Sequence, residues 1–191
     1  QHTDYYQVKY EVRLKVLEAN LTRGIKLIKS MMLSTQFTDE KRIYEVLAQV
    51  KSRLRNELSD SGNVISATRA MSYYSKRAKY ADSILGIGFY ETLDHIVTNY
   101  ESEKHNLVEK LQKVCEQIFQ SQNLMVSITS DASGYEALKV LSGQITEGLY
   151  ADTAKEIAEI SLAEQKNEGI LDASQIQYVS LAGNYAQDGY A

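Results

Sequence analysis

The chain begins its readable pattern with a strict alternation. In "YQVKYEVRLKV", Tyr6, Val8, Tyr10, Val12, Leu14 and Val16 alternate with Gln7, Lys9, Glu11, Arg13 and Lys15. A period of two puts the apolar side chains on one face of an extended segment and the charges on the other, which predicts a strand over Tyr6–Leu17. Such a strand needs a sheet to join and a layer of helices to cover it.

The period then changes to that of a helix. Leu21, Ile25, Ile28 and Met32 recur behind Asn20, a residue type that favours the N-cap position. "FTDEKR" restarts a helix with Thr38 as cap and Asp39 and Glu40 in a first turn where negative charge suits the dipole. Its apolar stripe is Ile43, Val46, Leu47, Val50, Leu54 and Leu58. In "SDSGN", Gly62 is expected to close that helix in the left-handed conformation, with Ser61 or Asn63 capping the next. Val64, Ala67, Thr68, Met71 and Tyr74 then share a face. Tyr80, Ile84, Ile87, Leu93, Ile96 and Val97 continue through Gly86 and Gly88, where two glycines predict close backbone contact or a turn. Leu107, Leu111, Val114, Ile118 and Phe119 mark a further amphipathic helix.

Beyond it, "LMVSITSD" reads as a short buried strand, and "SGYE" (Ser133 to Glu136) has capping-box spacing before Leu138, Leu141 and Ile145. From Tyr150 to Ser174 the chain turns acidic and loses periodicity, as an extended or partly helical connection does. "QIQYVSLAG" (175–183) returns to strand character. The expected fold class is therefore α+β: a predominantly helical layer on a small, incomplete, mainly antiparallel sheet. The expected order is strand, helices, strand and helix over 1–150, a connecting segment over 151–174 and strand character again over 175–191.

Composition narrows the function classes. Of 191 residues, 43% are hydrophobic and 24% charged, with a net charge of −4 and acid and base interspersed, so no bulk field favours nucleic acid. Apolar runs are too short to span a bilayer. A single cysteine, Cys115, excludes an internal disulfide and fits a reducing, cytoplasmic setting. His95 has Glu91 one turn before it and His105 has Glu109 one turn after it. Two ligands fall short of the three or four that zinc takes, so these read as surface polar pairs. Cys115 sits among apolar positions as a buried, inert thiol. "GIGFY" lacks the third glycine of a dinucleotide fingerprint. Arg69, on a helix of small residues, is expected to be partly buried and paired with a carboxylate or helix carbonyls. The 14 tyrosines are scattered as amphipathic wall residues rather than interleaved with basic ones.

Taken together, "VKYEVRLKVLEANLTRGIKLIKSMMLSTQFTDEKRIYEVLAQVKSRLRNELSDSGNVISATRAMSYYS", "GIGFYETL" and "KNEGILDASQIQYVSLAGNY" resemble the insulinase-like (pitrilysin) zinc metallopeptidases, in the branch of presequence peptidase and falcilysin. The positions that carry the resemblance are Ser61, Gly62, Arg69, Ala70, Tyr74, Gly86, Gly88, Tyr90, Asn167, Glu168, Tyr178 and Asn184, all in structural roles. The resemblance implies a parent enzyme of two halves that close around a chamber sized for short unfolded peptides. It also implies zinc bound outside this stretch, because none of "HTDYY", "HIVTN" and "HNLVE" matches the family's His-x-x-Glu-His pentad. No catalytic or metal residue is carried over, and the resemblance implies that 1–150 are a partial third domain, 151–174 a connecting segment and 175–191 the start of a fourth. The implied partners are peptide substrates and the N-terminal half of the same protein, with no nucleic acid or membrane. A chain that starts in a strand and stops just after one is also expected to offer a sheet edge for dimerisation. A free-standing helical protein-interaction module is the rival reading, and a small enzyme with its own metal at the histidines is a third.

Overall fold

A computed structural model describes residues 6–151, 159–171, 175–184 and 189. The helices are α1 (Leu21–Leu33), α2 (Glu40–Asp60), α3 (Gly62–Met71), α4 (Lys76–Leu85), α5 (Ile87–Thr98), α6 (Tyr100–Ile118) and α7 (Ala132–Thr146), with single 3-10 turns at Glu18–Asn20 and Ser121–Asn123. The chain divides into two compact units, one of Gln1–Gln7, Glu40–Glu103 and Ala158–Ala191, the other of Val8–Asp39 and Lys104–Ile157.

In the first unit α5 packs on both α2 and α4, and α4 packs on α3. Its buried apolar side chains are Leu54 of α2, Ala78 of α4, Ile87 and Leu93 of α5, and Tyr100 at the start of α6. Each fully buried leucine or isoleucine contributes about 1.5–3 kcal/mol by leaving water. The Tyr100 hydroxyl donates to the Glu40 carbonyl at 2.6 Å, and its ring meets Tyr44 at 5.1 Å between centroids. That contact ties the first turn of α2 to the first turn of α6. Tyr6 stacks on Tyr80 of α4 at 5.5 Å.

In the second unit α1 packs on α7 around Ile25, Leu141 and Leu149. The segment before α1 lies across it at Gly24, where an added Cβ would come 2.7 Å from Leu14 Cδ2. Tyr10 meets Phe119 edge-on at 5.8 Å. Tyr150 N–H donates to the Phe119 carbonyl and Ser121 N–H to the Tyr150 carbonyl, which forms an isolated parallel bridge between Gln120 and Tyr150.

The architecture corrects the α+β expectation: it is all helical, with no β-ladder among the described residues. Alternation specifies an extended chain with two faces, but a strand also needs a neighbouring strand to take up its N–H and C=O groups. Tyr6–Leu17 joins no ladder; Leu14 is used against a helix, and Tyr10 keeps 65% of its surface exposed. Residues 124–131 and 175–183 likewise lie outside any ladder, and Met125 and Val126 face water instead of being buried.

Local corrections follow the same logic of tertiary contact. Gly62 opens α3 and does not adopt a left-handed conformation; the positive-φ glycines are Gly148 and Gly189. Helix does not continue through Gly86, which is extended (φ −105°, ψ −158°) and separates α4 from α5. The cap of α7 is Asp131, which accepts from Gly134 N–H at 2.9 Å, so the capping lies upstream of the "SGYE" box. Donors led by that Gly134 N–H hold the Asp131 carboxyl below its ordinary range. Val64 and Met71, placed on the inner face of α3 by periodicity, are exposed. Residues 1–5, 152–158, 172–174, 185–188 and 190–191, which include the first four residues of the "HTDYY" pentad and parts of the connecting and C-terminal segments, lie outside the described residues.

Two glycines make opposite predictions. Gly143 sits inside α7 with nothing within 4 Å of an added Cβ, so Gly143→Ala is expected to stabilise by about 0.5–1 kcal/mol. Gly148 has φ +81°, so Gly148→Ala is expected to cost about 1–2 kcal/mol. Denaturant midpoints of the two variants measured against the parent chain check both signs.

Candidate functional site: a buried arginine and its carboxylates

The most concentrated chemistry in the first unit is gathered around Arg69, in the last turn of α3. Its side chain is only 11% exposed. Nη1 donates to Asp82 Oδ2 of α4 at 2.8 Å. Nε and Nη2 donate side by side to the two oxygens of Glu168, at 2.7 and 2.9 Å, a bidentate fork. Nη2 also reaches Glu91 of α5 at 3.5 Å. One guanidinium thus joins three helices and an extended segment. The carbonyl of Arg69 takes the Ser72 hydroxyl at 2.7 Å, and Ser72 is itself buried.

Asp82 explains the glycines. Its carboxylate is 1% exposed and lies at the start of α5, where Gly88 N–H donates to Oδ1 at 3.3 Å. An added Cβ on Gly86 would fall 2.6 Å from Oδ1, and one on Gly88 would fall 2.6 Å from Oδ2. The glycines therefore make room for a carboxylate that both caps α5 and pairs with Arg69, in the electrostatically favoured place for negative charge. The close approach expected from sequence is real: Gly86 lies against both the carboxylate and the backbone of Asp82, and Gly88 lies chiefly against its carboxylate.

The ionisation states follow from the pairing. Glu168, above all by its bond to Arg69 and against a smaller opposing effect of burial, is held well below the usual carboxylate range. Arg69 is held above its ordinary value, chiefly by Glu168, against the opposing effect of burial and with further support from Asp82. The Tyr73 hydroxyl is buried close to this cluster, and burial first, then Glu168, pushes its pKa up. Lys166 pairs with the outer side of Glu168 at 3.0 Å.

Beside this cluster is a groove of about 560 Å³ lined by Arg69, Tyr73, Lys79, Glu91, His95 and Lys166, among others. The guanidinium is occupied by carboxylates and the phenol is held protonated, so these two groups fix charge in place. The residues do not fit zinc. Glu91 is turned toward Arg69, while His95 Nδ1 lies 3.3 Å from Asn99 Nδ2. Among the described residues no three His, Cys, Asp or Glu side chains are gathered to hold a metal. Burial raises the pKa of Cys115, so its thiol is held away from the reactive thiolate.

Of the residues singled out from sequence, Arg69 and Glu168 are brought into direct contact, and Gly86 and Gly88 flank the same cluster. Gly62 receives the Tyr178 ring, which lies 2.7 Å from where a Cβ would stand. The carbonyl of Ser61 accepts from Val64 and Ile65 at the start of α3, Ala70 follows Arg69 on that helix, and Tyr74 lies in the turn after it. Tyr90 is in the first turn of α5, and Asn167 and Asn184 lie on the extended segments. Sequence reasoning missed Asp82, Tyr73 and Lys166, and it paired Glu91 with His95, whereas Glu91 reaches Arg69. The one available signal was an aspartate four and six positions ahead of two glycines that open an apolar helix.

Residues 1–96 match the family of peptidase-associated domains found with subfamily C of the M16 peptidases, and the chain belongs to that family. The resemblance to insulinase-like peptidases of the presequence-peptidase branch is thereby borne out. The chain is 30% identical over 181 residues to Protein HypA of Clostridium perfringens, across 94% of this chain and 18% of that protein. It is 21% identical over 183 residues to Presequence protease 1, chloroplastic/mitochondrial, of Arabidopsis thaliana, across 95% of this chain and 17% of that protein. The chain thus spans less than a fifth of the length of these relatives. No helix among the described residues is long and apolar enough to cross a membrane.

Two outcomes test the site. Gly88→Ala is expected to destabilise by about 2 kcal/mol or more, because its Cβ displaces a buried, paired carboxylate. The same change on an Asp82→Ala background is expected to cost far less, since the displaced group is gone; chemical denaturation of the four chains measures the difference. For Glu168 the folded-state pKa is depressed, so its stabilisation is fully present above the ordinary carboxylate range and is lost as pH falls through the lower folded value. The stability gap between parent and Glu168→Gln, followed by denaturation from neutral pH into strong acid, is expected to stay constant to mildly acid pH and then close.

Proposed function

We propose that this chain is a non-catalytic, wall-forming part of a longer zinc peptidase of the M16 family. In this reading the metal and the bond-breaking groups belong to other parts of that protein. The wall helps to enclose short, unfolded peptides and to exclude folded proteins by size. The observation that carries this reading is the family match over residues 1–96, in a chain that aligns along nearly all its length with less than a fifth of a named protease. The charged cluster fits such a role. It commits Arg69, Asp82 and Glu168 to holding helices and an extended segment together, which suits a scaffold. The partners of the reading are peptide substrates and the remainder of the same polypeptide, above all its zinc-bearing half.

The test compares this chain with the longer protein that contains it, using hydrolysis of a short unfolded peptide and metal analysis. The longer protein is expected to cleave the peptide in a chelator-sensitive manner, whereas this chain alone neither cleaves nor holds a stoichiometric zinc. One tight zinc per isolated chain, with hydrolysis abolished by chelator, would falsify the proposal.

A further inference from the structure

Residues 159–171, a part of the first unit, form neither helix nor ladder. Every residue from 161 to 171 is exposed, Leu171 fully so, and apolar burial therefore does little to hold this strap in place. Its ion pair between Glu159 and Lys76, at 3.3 Å, is open to water on both sides and contributes little. The side chain of Glu168 is different. It is only 19% exposed and makes the two-pronged bond to Arg69. Ala163 and Lys166 of the same strap line the groove beside Arg69.

We propose that Glu168 is a latch, and that residues 159–171 form a strap which opens and closes over the Arg69 groove by breaking and remaking this one ion pair. In the open state Arg69 keeps its bond to Asp82, so the helices stay packed while the Nε–Nη2 edge of the guanidinium loses Glu168 and keeps only the long contact of Nη2 with Glu91. Local opening of this kind belongs to segments with few buried apolar contacts and few backbone hydrogen bonds. The strap meets both conditions; α4 and α5, which bury Ala78, Asp82, Ile87 and Leu93, do not, and α3 has its helical hydrogen bonds and packs on α4. Opening brings both charges into water, where dissolved ions screen them, so added salt favours the open state before it weakens the helical core. Such a latch would operate whether or not the chain forms part of a peptidase wall.

The experiment labels arginines of this chain with phenylglyoxal and reads modification at Arg69 by mass spectrometry, with Arg13, whose side chain is 84% exposed, as internal reference. Arg69 is expected to be protected in the parent chain, and Glu168→Gln is expected to raise its labelling rate severalfold while the far-ultraviolet helical signal stays unchanged. In the parent chain, rising salt is expected to increase both Arg69 labelling and tryptic cleavage after Lys166, again with the helical signal constant. Protection of Arg69 that survives both Glu168→Gln and high salt would overturn the latch. So would a loss of helical signal in step with labelling, in the variant or in the salt series, since that would make Glu168 a fixed part of the core.

Discussion

Taking a guanidinium out of water is costly unless every part of it is answered, and the first unit is arranged to answer Arg69. Asp82 meets one nitrogen from α4, Glu168 grips an edge from an extended segment, and Glu91 approaches from α5. Much else follows from that demand. A carboxylate as buried as Asp82 needs donors of its own, which it finds at Arg69 and at the start of α5. The start of α5 can lie so close only because positions 86 and 88 carry no Cβ. A charge pair, a helix boundary and two glycines are thus one arrangement. The apolar contacts of Leu54, Ile87 and Leu93 supply bulk stability beneath it, while the ion pairs fix which helices meet and where.

Some helix boundaries were legible, because those signals are local, whereas the breaks at 72–75 and at Gly86 were not. The stripe through Leu54, the start of α1 after Asn20 and the corner at Ser61–Gly62 all appear in the structure within a residue or two of where spacing puts them. The strands were not legible, for a physical reason. Alternation in Tyr6–Leu17 states that the segment has two faces, but says nothing about whether a second strand lies beside it. In this fold the Leu14 side chain of that segment rests on Gly24, and no ladder forms among the described residues. The charged cluster was half legible. Arg69 among small residues signals a partly buried cation, but its partners come from positions 13, 22 and 99 residues away, and only the folded chain brings them together.

The expected sheet was small and incomplete, and among the described residues no ladder forms at all. The first unit is helical instead, and apolar residues such as Val179 and Leu181 stay exposed. The Arg69 cluster joins α3, α4, α5 and the segment that carries Glu168 through ion pairs.

The claim that the Arg69–Asp82 pair organises the first unit is tested most directly by a double-mutant cycle. The parent chain, Arg69→Met, Asp82→Leu and the double variant would be unfolded in urea and their free energies compared. The account predicts that the double variant loses less stability than the sum of the two single losses, with a coupling of about 1.5–3 kcal/mol. Additive effects, with coupling near zero, would contradict it and leave the apolar contacts alone in charge of how α3 and α4 meet.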